Sequence, residues 1–374
     1  MYLFILGRQP EIGIAELNAV FGNAELLLPN VALVSSDVEP DIDRLGGAKK
    51  VGHVIYNSNG KPGDFLLDKF KGLPDGKITL GVSHYGKTAS TKTATATGLF
   101  LKKRLDRSIR ILPNASAEIS DAATLGNKLG TSANKIELLM AYVGHLLIIA
   151  ELIGVQDLNS YTLRDRGRPK RDARVGMLPP KLAQIMINLA VGAKKSGVLL
   201  DSFCGTGVVL QEAALLGFDI YGTDIEPRMI EYTEQNLEWL RRKLGVDFRG
   251  EITVGDATNF DWGKRIDFVA TETYLGRPYA TEPSNENLNE NIANCKIILT
   301  KFLKNLHRQT TESTGICLAV PCWFVGNRTI HLRIIKDLEK LGYKQIHQSD
   351  NKKPLIYHRE GQIVGRELLV LRKK

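Results

Sequence analysis

The second half of the chain alternates short apolar runs with longer stretches in which apolar residues recur every three or four positions. The short runs are typical of buried strands, and the periodic stretches are typical of amphipathic helices. Strands are predicted at residues 198–202, 218–223, 251–254, 266–271, 316–320, 343–347 and 367–372. Helices are predicted at residues 208–216, 227–244, 287–308 and 328–341. Elements that alternate in this order predict a doubly wound α/β sheet.

The first half of the chain shows a less regular pattern. A strand at 2–7, a helix at 11–21 and short strands at 31–35 and 54–56 predict a small α+β region. Asn, Ser, Gly and Pro at 57–63 predict a loop, after which strands and helices resume. Gly and Pro residues then mark a linker before the doubly wound sheet. We therefore predict four regions, at residues 1–56, 57–158, 159–181 and 182–374.

A glycine-containing turn, DSFCGTG at residues 201–207, lies between the first strand of the predicted sheet and a helix. Glycines allow the backbone to approach a ligand closely, and the N-terminus of the following helix faces the same point. In α/β sheets this order forms a nucleotide-sized pocket, although the signal alone is only moderately specific.

Acidic residues stand at the ends of the next two predicted strands. Asp224 lies 17 residues after Gly207, where its carboxylate can accept hydrogen bonds from both hydroxyls of a ribose. Asp256 follows the third strand and can accept from an adenine amino group, while the Ala257 amide can serve a ring nitrogen. The alternative for Asp256 is a cap on the next turn. The glycine turn and Asp224 together predict a nucleoside-containing cofactor.

Basic residues are concentrated in two stretches of a chain whose formal net charge is +9. Residues 161–181 carry seven basic residues against two acidic ones, and residues 101–110 carry five against one. Planar guanidinium groups suit phosphate, so a nucleic-acid backbone is the predicted partner. The alternative for either stretch is a solvated basic face without a specific partner. The candidate RNA contacts are Lys102, Lys103, Arg104, Arg164, Arg166, Arg168, Lys170, Arg171 and Arg174.

The composition disfavours several classes of protein. Of the 374 residues, 43% are hydrophobic and 24% are charged, as in an ordinary soluble globular protein. No apolar run reaches the roughly 20 residues of a membrane span, and the N-terminus lacks a secretory signal pattern. The four cysteines show no zinc-type spacing, so we expect reduced thiols and no metal site. A cytoplasmic location is expected.

Several motifs together resemble one known family, the THUMP-containing class I RNA methyltransferases. Within it they resemble the tRNA guanosine-10 N2-methyltransferases of archaea and eukaryotes. The motifs are RDRGRPKR at 164–171, MLPPKLA at 177–183, the turn at 201–207, DIEPR at 224–228 and QIVGRE at 362–367. The resemblance is strong over residues 161–254 and at the C-terminus, moderate over 52–158 and weak before that.

The resemblance implies a fold, a cofactor and a substrate. The fold is an α/β class I (Rossmann-like) methyltransferase domain, with a doubly wound seven-stranded sheet whose seventh strand is reversed. An α+β ferredoxin-like region and a THUMP-like RNA-binding domain precede it. In these terms residues 1–56 are ferredoxin-like, 57–158 THUMP-like, 159–181 a basic linker and 182–374 the methyltransferase domain. The implied cofactor is S-adenosylmethionine, and the implied partner is a structured tRNA.

The same resemblance assigns the cofactor site residue by residue. Asp201, Gly205 and Gly207 form the methionine-side loop, Asp224 takes the ribose and Asp256 takes the adenine. The implied set of cofactor-binding residues is Asp201, Phe203, Cys204, Gly205, Thr206, Gly207, Asp224, Ile225, Asp256 and Ala257.

The predicted catalytic residues, Glu272, Thr273 and Tyr274, are where this chain departs from the family pattern. The family has an Asp-Pro-Pro-Tyr type motif, whose carboxylate and a backbone carbonyl hold an exocyclic amine while the aromatic ring stacks on the base. Here Glu272 matches the carboxylate with one extra methylene, both prolines are missing, and Tyr274 is shifted by one position. A displacement of roughly 1 Å in the acceptor can lower the rate about 100-fold.

Three functions are compatible with these residues. The leading hypothesis is an S-adenosylmethionine-dependent tRNA methyltransferase acting on an exocyclic amine, guanine N2 above all. One alternative is a methyltransferase fold that has lost transfer activity and serves as an RNA-binding or partner-activating protein. The other alternative is an enzyme that methylates a different base. The sequence makes no prediction about a small activating protein subunit or the oligomeric state.

Overall fold

The computed structural model describes residues 1–172, 177–348 and 353–374. They form two compact units. The first contains Met1–Leu17 and Phe21–Ser160, and the second contains Asn18–Val20 and Tyr161–Lys374.

The first unit is built on one eight-stranded sheet, in the order β2-β3-β1-β4-β8-β7-β5-β6. Its strands are β1 (Tyr2–Leu6), β2 (Glu25–Leu28), β3 (Val31–Val34), β4 (Ala48–Ser58), β5 (Ile78–Tyr85), β6 (Ile109–Ile111), β7 (Lys135–Val143) and β8 (Leu146–Val155). Its helices are α1 (Pro10–Phe21), the 3-10 turn Ile42–Arg44, α2 (Gly63–Lys71), α3 (Thr91–Arg104) and α4 (Asp121–Gly126).

The strand β4 joins the two halves of this sheet. It pairs with β1 on one side and with β8 on the other, both antiparallel. The boundary predicted after residue 56 falls inside this strand, and the division into four regions remains a prediction. The neighbouring strands β7 and β8 are almost continuously apolar because they are buried on both faces.

The second unit contains a nine-stranded sheet flanked by helices. Its strands are β9 (Val198–Asp201), β10 (Asp219–Asp224), β11 (Gly250–Val254), β12 (Phe268–Glu272), β13 (Gly315–Val325), β14 (Arg328–His331), β15 (Tyr343–Gln345), β16 (Leu355–Tyr357) and β17 (Val364–Lys373). Its helices are α5 (Leu158–Arg166), α6 (Pro180–Val191), α7 (Val208–Leu215), α8 (Pro227–Leu244), α9 (Asn285–Gln309) and α10 (Ile335–Leu338).

The strand order β11-β10-β9-β12-β13-β17-β15 confirms the predicted class I methyltransferase sheet. Neighbouring strands from β11 through β13 are parallel, whereas β17 is antiparallel to β13 and is the reversed strand. Two further strands lie off this path, since β14 pairs with β13 and β16 pairs with β17. Because the carboxyl ends of parallel strands meet at one edge, the turns after β9, β10 and β12 converge there.

Local sequence sets the ends of several helices in this unit. Gly207 precedes α7 with a left-handed φ of 80°, a conformation that favours glycine. Pro227 occupies the first turn of α8, where its missing N–H is harmless, and Gly245 ends the helix with a left-handed φ of 65°. Ser284 caps α9 by accepting a hydrogen bond from the Asn287 amide at 3.2 Å.

The helix predicted at residues 328–341 is wrong over most of its length. Residues Arg328–His331 form β14, which pairs antiparallel with the end of β13, and only Ile335–Leu338 is helical. The reason is that β13 continues past the end of β12, so its edge becomes available to β14. An alternation of apolar residues at Ile330, Leu332 and Ile334 was a period-two signal that favoured a strand.

The described residues include no helix with the length and apolar character needed to cross a membrane. The four cysteines are buried, and none of them is paired in a disulfide.

Candidate active site

The turn between β9 and α7 adopts left-handed angles at both glycines, with φ of 51° at Gly205 and 80° at Gly207. A Cβ atom placed on Gly207 would lie 2.8 Å from Cγ2 of Thr233, whereas one on Gly205 would meet no heavy atom within 4 Å. The turn is therefore packed against α8 at Gly207 and open at Gly205.

Two polar residues of α8 hold this turn. The Thr233 hydroxyl donates to the Gly205 carbonyl at 2.8 Å, and the Asn236 amide donates to the Thr206 carbonyl at 2.8 Å. Asn236 also exchanges two hydrogen bonds of 2.9 Å with the backbone of Lys170. Neither residue was predicted from the sequence, although polar residues on the buried face of an amphipathic helix were an available signal.

Asp224, at the end of β10, is bound to the glycine turn. Its carboxylate accepts hydrogen bonds from the Gly205 amide at 2.8 Å and from the Glu226 amide at 3.0 Å. Burial raises the pKa of Asp224, and these backbone donors oppose that effect. The carboxylate is partly exposed, and Ile225 beside it is 63% exposed. A hydrogen-bond acceptor and an apolar surface therefore lie side by side.

Asp201, at the end of β9, is buried and ties the glycine turn to β12. Its carboxylate accepts from the Thr271 hydroxyl at 2.6 Å and from the Phe203 amide at 3.4 Å. Burial raises the pKa of Asp201 to about 7, although both hydrogen bonds favour its charged form. Because only 2% of Asp201 is exposed, it orients the turn from the side of the protein interior.

The remaining predicted cofactor residues line the same edge of the sheet. Phe203 packs edge-on against Phe302 at 5.1 Å, and Cys204 is buried. Asp256 accepts a hydrogen bond from the Thr258 amide at 2.9 Å, which is the turn cap considered as an alternative. Ala257 is buried beside it. Direct contact of these residues with a cofactor remains a prediction.

These groups fit S-adenosylmethionine. An ionised carboxylate has about four lone-pair positions, so Asp224 can accept ribose hydroxyls in addition to its two backbone donors. The exposed Ile225 would pack on the adenine ring, and the open side of Gly205 would admit the methionine portion.

Glu272, the last residue of β12, forms an ion pair with Arg366 of β17, whose Nε donates to its Oε1. Burial raises the pKa of Glu272, and the Arg366 cation opposes that rise. The side chain of Glu272 is 18% exposed and that of Arg366 is 7% exposed. Sequence reasoning singled out Glu272 and missed Arg366 as its partner.

The loop after Glu272 is held by side chains and backbone groups. The amide and the hydroxyl of Thr273 both donate to the Ala319 carbonyl, at 3.0 Å and 3.2 Å. Further along, buried Asn291 of α9 accepts from the Arg277 amide at 3.0 Å and donates to the Tyr279 hydroxyl at 3.0 Å. Tyr274 between these anchors is 41% exposed, so its ring is available to a substrate.

The predicted RNA contacts fall into two groups. Lys102, Lys103 and Arg104 are exposed at the end of α3 in the first unit, and Arg166 and Arg171 are exposed in the second. Lys170 is partly buried, and Arg174 lies outside the described residues.

Arg164 and Arg168 require a correction, because both side chains lie inside the protein. Arg164 is 8% exposed and Arg168 is 2% exposed. The Arg164 Nε donates to Glu212 Oε1 at 2.7 Å, and its guanidinium also lies 4.2 Å from the centre of the Tyr161 ring. Arg168 donates to the Met177 sulfur at 3.4 Å. Their burial opposes the predicted direct contact with an RNA phosphate.

Arg164→Ala is expected to destabilise the protein by about 3–5 kcal/mol, because it leaves the buried Glu212 carboxylate without its cation. Urea unfolding of the variant measures this effect. Arg166→Ala, on the same helix but exposed, is the matched control and should change stability by less than about 0.5 kcal/mol. Equal stability of the two variants would contradict the internal role of Arg164.

Comparison with known proteins agrees with this geometry. The family described as "Methyltransferase domain" matches residues 193–363. The crystal structure of TrmN from Thermus thermophilus is 16% identical, with a TM-score of 0.52 over 100% of this chain and 99% of that chain. At this identity the similarity shows a shared fold.

Three archaeal relatives are named tRNA (guanine(10)-N2)-dimethyltransferase. That of Methanocaldococcus jannaschii is 30% identical over 246 residues, which cover 62% of this chain and 69% of the relative. That of Pyrococcus abyssi is 29% identical over 75% of this chain and 78% of the relative. That of Methanothermobacter thermautotrophicus is 34% identical, but the match covers only 39% of each protein.

The fold and the cofactor turn define a class I S-adenosylmethionine-dependent methyltransferase. Within that class, the chain belongs to the tRNA (guanine(10)-N2)-dimethyltransferase family.

Proposed function

We propose that the protein transfers a methyl group from S-adenosylmethionine to the exocyclic N2 amine of a guanosine in tRNA, of the position-10 type named in its relatives. The observation that carries the proposal is the placement of the Glu272 carboxylate. It follows Thr271, whose hydroxyl donates to Asp201 of the glycine turn at 2.6 Å. The hydrogen-bond acceptor for the amine is thus directly connected to the cofactor turn.

The residues around Glu272 suit methylation of an amine. S-adenosylmethionine supplies an electrophilic methyl group on a sulfonium centre. Glu272 accepts a hydrogen bond from the amine, which aims the nitrogen lone pair at the methyl group, and it can receive the amine proton afterwards. The exposed ring of Tyr274 stacks on the face of the guanine. The protein's contribution is chiefly alignment of the reacting atoms.

We further propose that basic residues that are exposed or partly exposed bind the tRNA backbone. Clustered Lys and Arg side chains contact phosphates without reading base sequence. The proposed contacts are Lys102, Lys103, Arg104, Arg166, Lys170 and Arg171. In this proposal residues 57–158 act as a THUMP-like RNA-binding domain, and the protein acts on tRNA in the cytoplasm.

The proposed function is tested with labelled S-adenosylmethionine and two synthetic tRNAs that differ by one exocyclic amino group. One carries guanosine at position 10, and its matched control carries inosine there, which lacks the N2 amine. We expect label in N2-methylguanosine or N2,N2-dimethylguanosine from the first tRNA and none from the second.

Other outcomes identify the alternatives. Tight tRNA binding without transfer would support a protein that has lost methyltransferase activity. Equal labelling of both tRNAs, or label on another nucleoside, would show that a different group is the target.

A further inference from the structure

The ion pair between Glu272 and Arg366 spans three strands of the sheet. Glu272 is on β12 and Arg366 is on β17, and β13 lies between these two strands. In register, Glu272 is opposite Ala319 of β13, and Arg366 is opposite Pro321. The two charged side chains therefore meet across a neighbouring strand, between positions that are 94 residues apart in sequence.

Side-chain length decides whether this contact can form. Two strand spacings amount to about 10 Å, a distance that an arginine and a glutamate can bridge only together. An aspartate at position 272 would be shorter by one carbon–carbon bond, about 1.5 Å. Ala319, with a methyl side chain, stands opposite Glu272. The extra methylene of Glu272 thus extends the carboxylate about 1.5 Å farther toward the guanidinium than an aspartate would.

The two partners are buried to different degrees. Glu272 keeps 18% of its side chain exposed, whereas Arg366 keeps 7%. The guanidinium is therefore the more buried partner, and part of the Glu272 side chain remains exposed.

The next residue of β17 forms a comparable pair without contacting Glu272. Glu367 accepts a hydrogen bond from Nδ1 of His331 of β14 at 2.7 Å, and Glu367 is opposite Val320 of β13. Consecutive residues of a strand face opposite sides of the sheet. Glu367 is thus a matched reference for Arg366, with the same strand and a similar degree of burial.

We propose that Arg366 is a positioning residue for methyl transfer, which orients the Glu272 carboxylate toward the substrate amine. This inference rests on the proposed function. The ion pair removes rotational freedom from a flexible side chain and favours its ionised form, which can only accept hydrogen bonds. Fixed orientation matters because a displacement of 1 Å at a reacting group can lower the rate about 100-fold.

The test compares Arg366→Gln with Glu367→Gln. For Arg366→Gln we expect kcat to fall about 30- to 100-fold, with the Kd for S-adenosylmethionine unchanged within about twofold. The acidic limb of the pH profile of kcat should move to higher pH, because loss of a nearby cation raises the pKa of a carboxyl group. Glu367→Gln should leave that limb in place.

A double-variant cycle separates positioning from general destabilisation. In a Glu272→Gln background, Arg366→Gln should lower kcat by no more than about twofold, because its effect acts through the carboxylate. An independent loss of the full 30- to 100-fold would overturn the inference. If Arg366→Gln does not fold, Arg366→Lys serves instead. We expect its kcat to fall about 10-fold, since an ammonium lacks the planar, multi-donor geometry of a guanidinium. Unchanged kcat in that variant would also overturn it.

A measurement without substrate distinguishes failure of this inference from failure of the proposed function. Carboxyl-¹³C glutamate labelling, with Glu272→Gln used for assignment, follows the titration of Glu272 by NMR. We expect the pKa of Glu272 to be higher in Arg366→Gln than in the unmodified protein, because the nearby cation that favours the charged carboxylate is gone. Identical titration in both proteins overturns the inference. A wild-type protein that labels no tRNA amine refutes the proposed function instead.

Discussion

Glu272→Gln is expected to lower kcat for methyl transfer about 100-fold or more, while the Kd for S-adenosylmethionine changes by less than about twofold. Glutamine keeps the size of the side chain and an oxygen that can accept the hydrogen bond from Arg366. It removes the charge and cannot take up the amine proton, so the effect falls on the chemical step. Single-turnover methylation of tRNA and calorimetric cofactor binding measure the two quantities.

The control for this prediction is Glu251→Gln. Glu251 of β11 also belongs to the second unit and forms an ion pair with Lys264, but both side chains of this pair are exposed. We expect its kcat to remain within about twofold of the unmodified protein. Full activity of Glu272→Gln would show that this carboxylate has no role in transfer.

Asp224→Ala is expected to raise the Kd for S-adenosylmethionine about 10- to 100-fold. A hydrogen bond to a charged group contributes about 1.5–3 kcal/mol, and 1.4 kcal/mol corresponds to a tenfold change in affinity. The substitution also removes the acceptor for the Gly205 amide, which holds the turn between β9 and α7 in place. Isothermal titration with the cofactor alone, without tRNA, measures the effect.

Asp219→Ala is the matched control, because Asp219 begins the same strand that Asp224 ends. It lies opposite Val198, at the far end of β10 from the glycine turn. Its Kd should stay within about twofold of the unmodified protein. An equal rise in Kd for both variants would indicate damage to the sheet and argue against a ribose contact at Asp224.

The cofactor half of the site could be predicted because its determinants are local. Glycines at 205 and 207 and an aspartate at the end of the next strand follow from spacing along the chain. The structure brings them together through a hydrogen bond of 2.8 Å from the Gly205 amide to Asp224. The doubly wound sheet was predictable for the same reason, because strands and helices alternate along the chain, whereas the reversed seventh strand was implied by the family resemblance.

The basic residues show that local sequence does not predict which charged side chains are buried. Arg164, Arg166 and Arg168 have the same chemistry and lie within five consecutive residues. Burial separates them, because Arg164 meets Glu212 of α7 while Arg166 remains exposed. The sequence signal for an RNA contact was therefore the same at the buried Arg164 and at the exposed Arg166.

The sequence by itself determined the sheet of the methyltransferase domain, the cofactor turn and the acidic residue at position 272, because each depends on residues close together in the chain. Only the tertiary structure decided that two arginines are internal and that Arg366 holds Glu272. These features depend on which side chains meet when distant segments pack. The arginine that holds Glu272 lies 94 residues away, and it reaches that carboxylate only after β13 and β17 have paired.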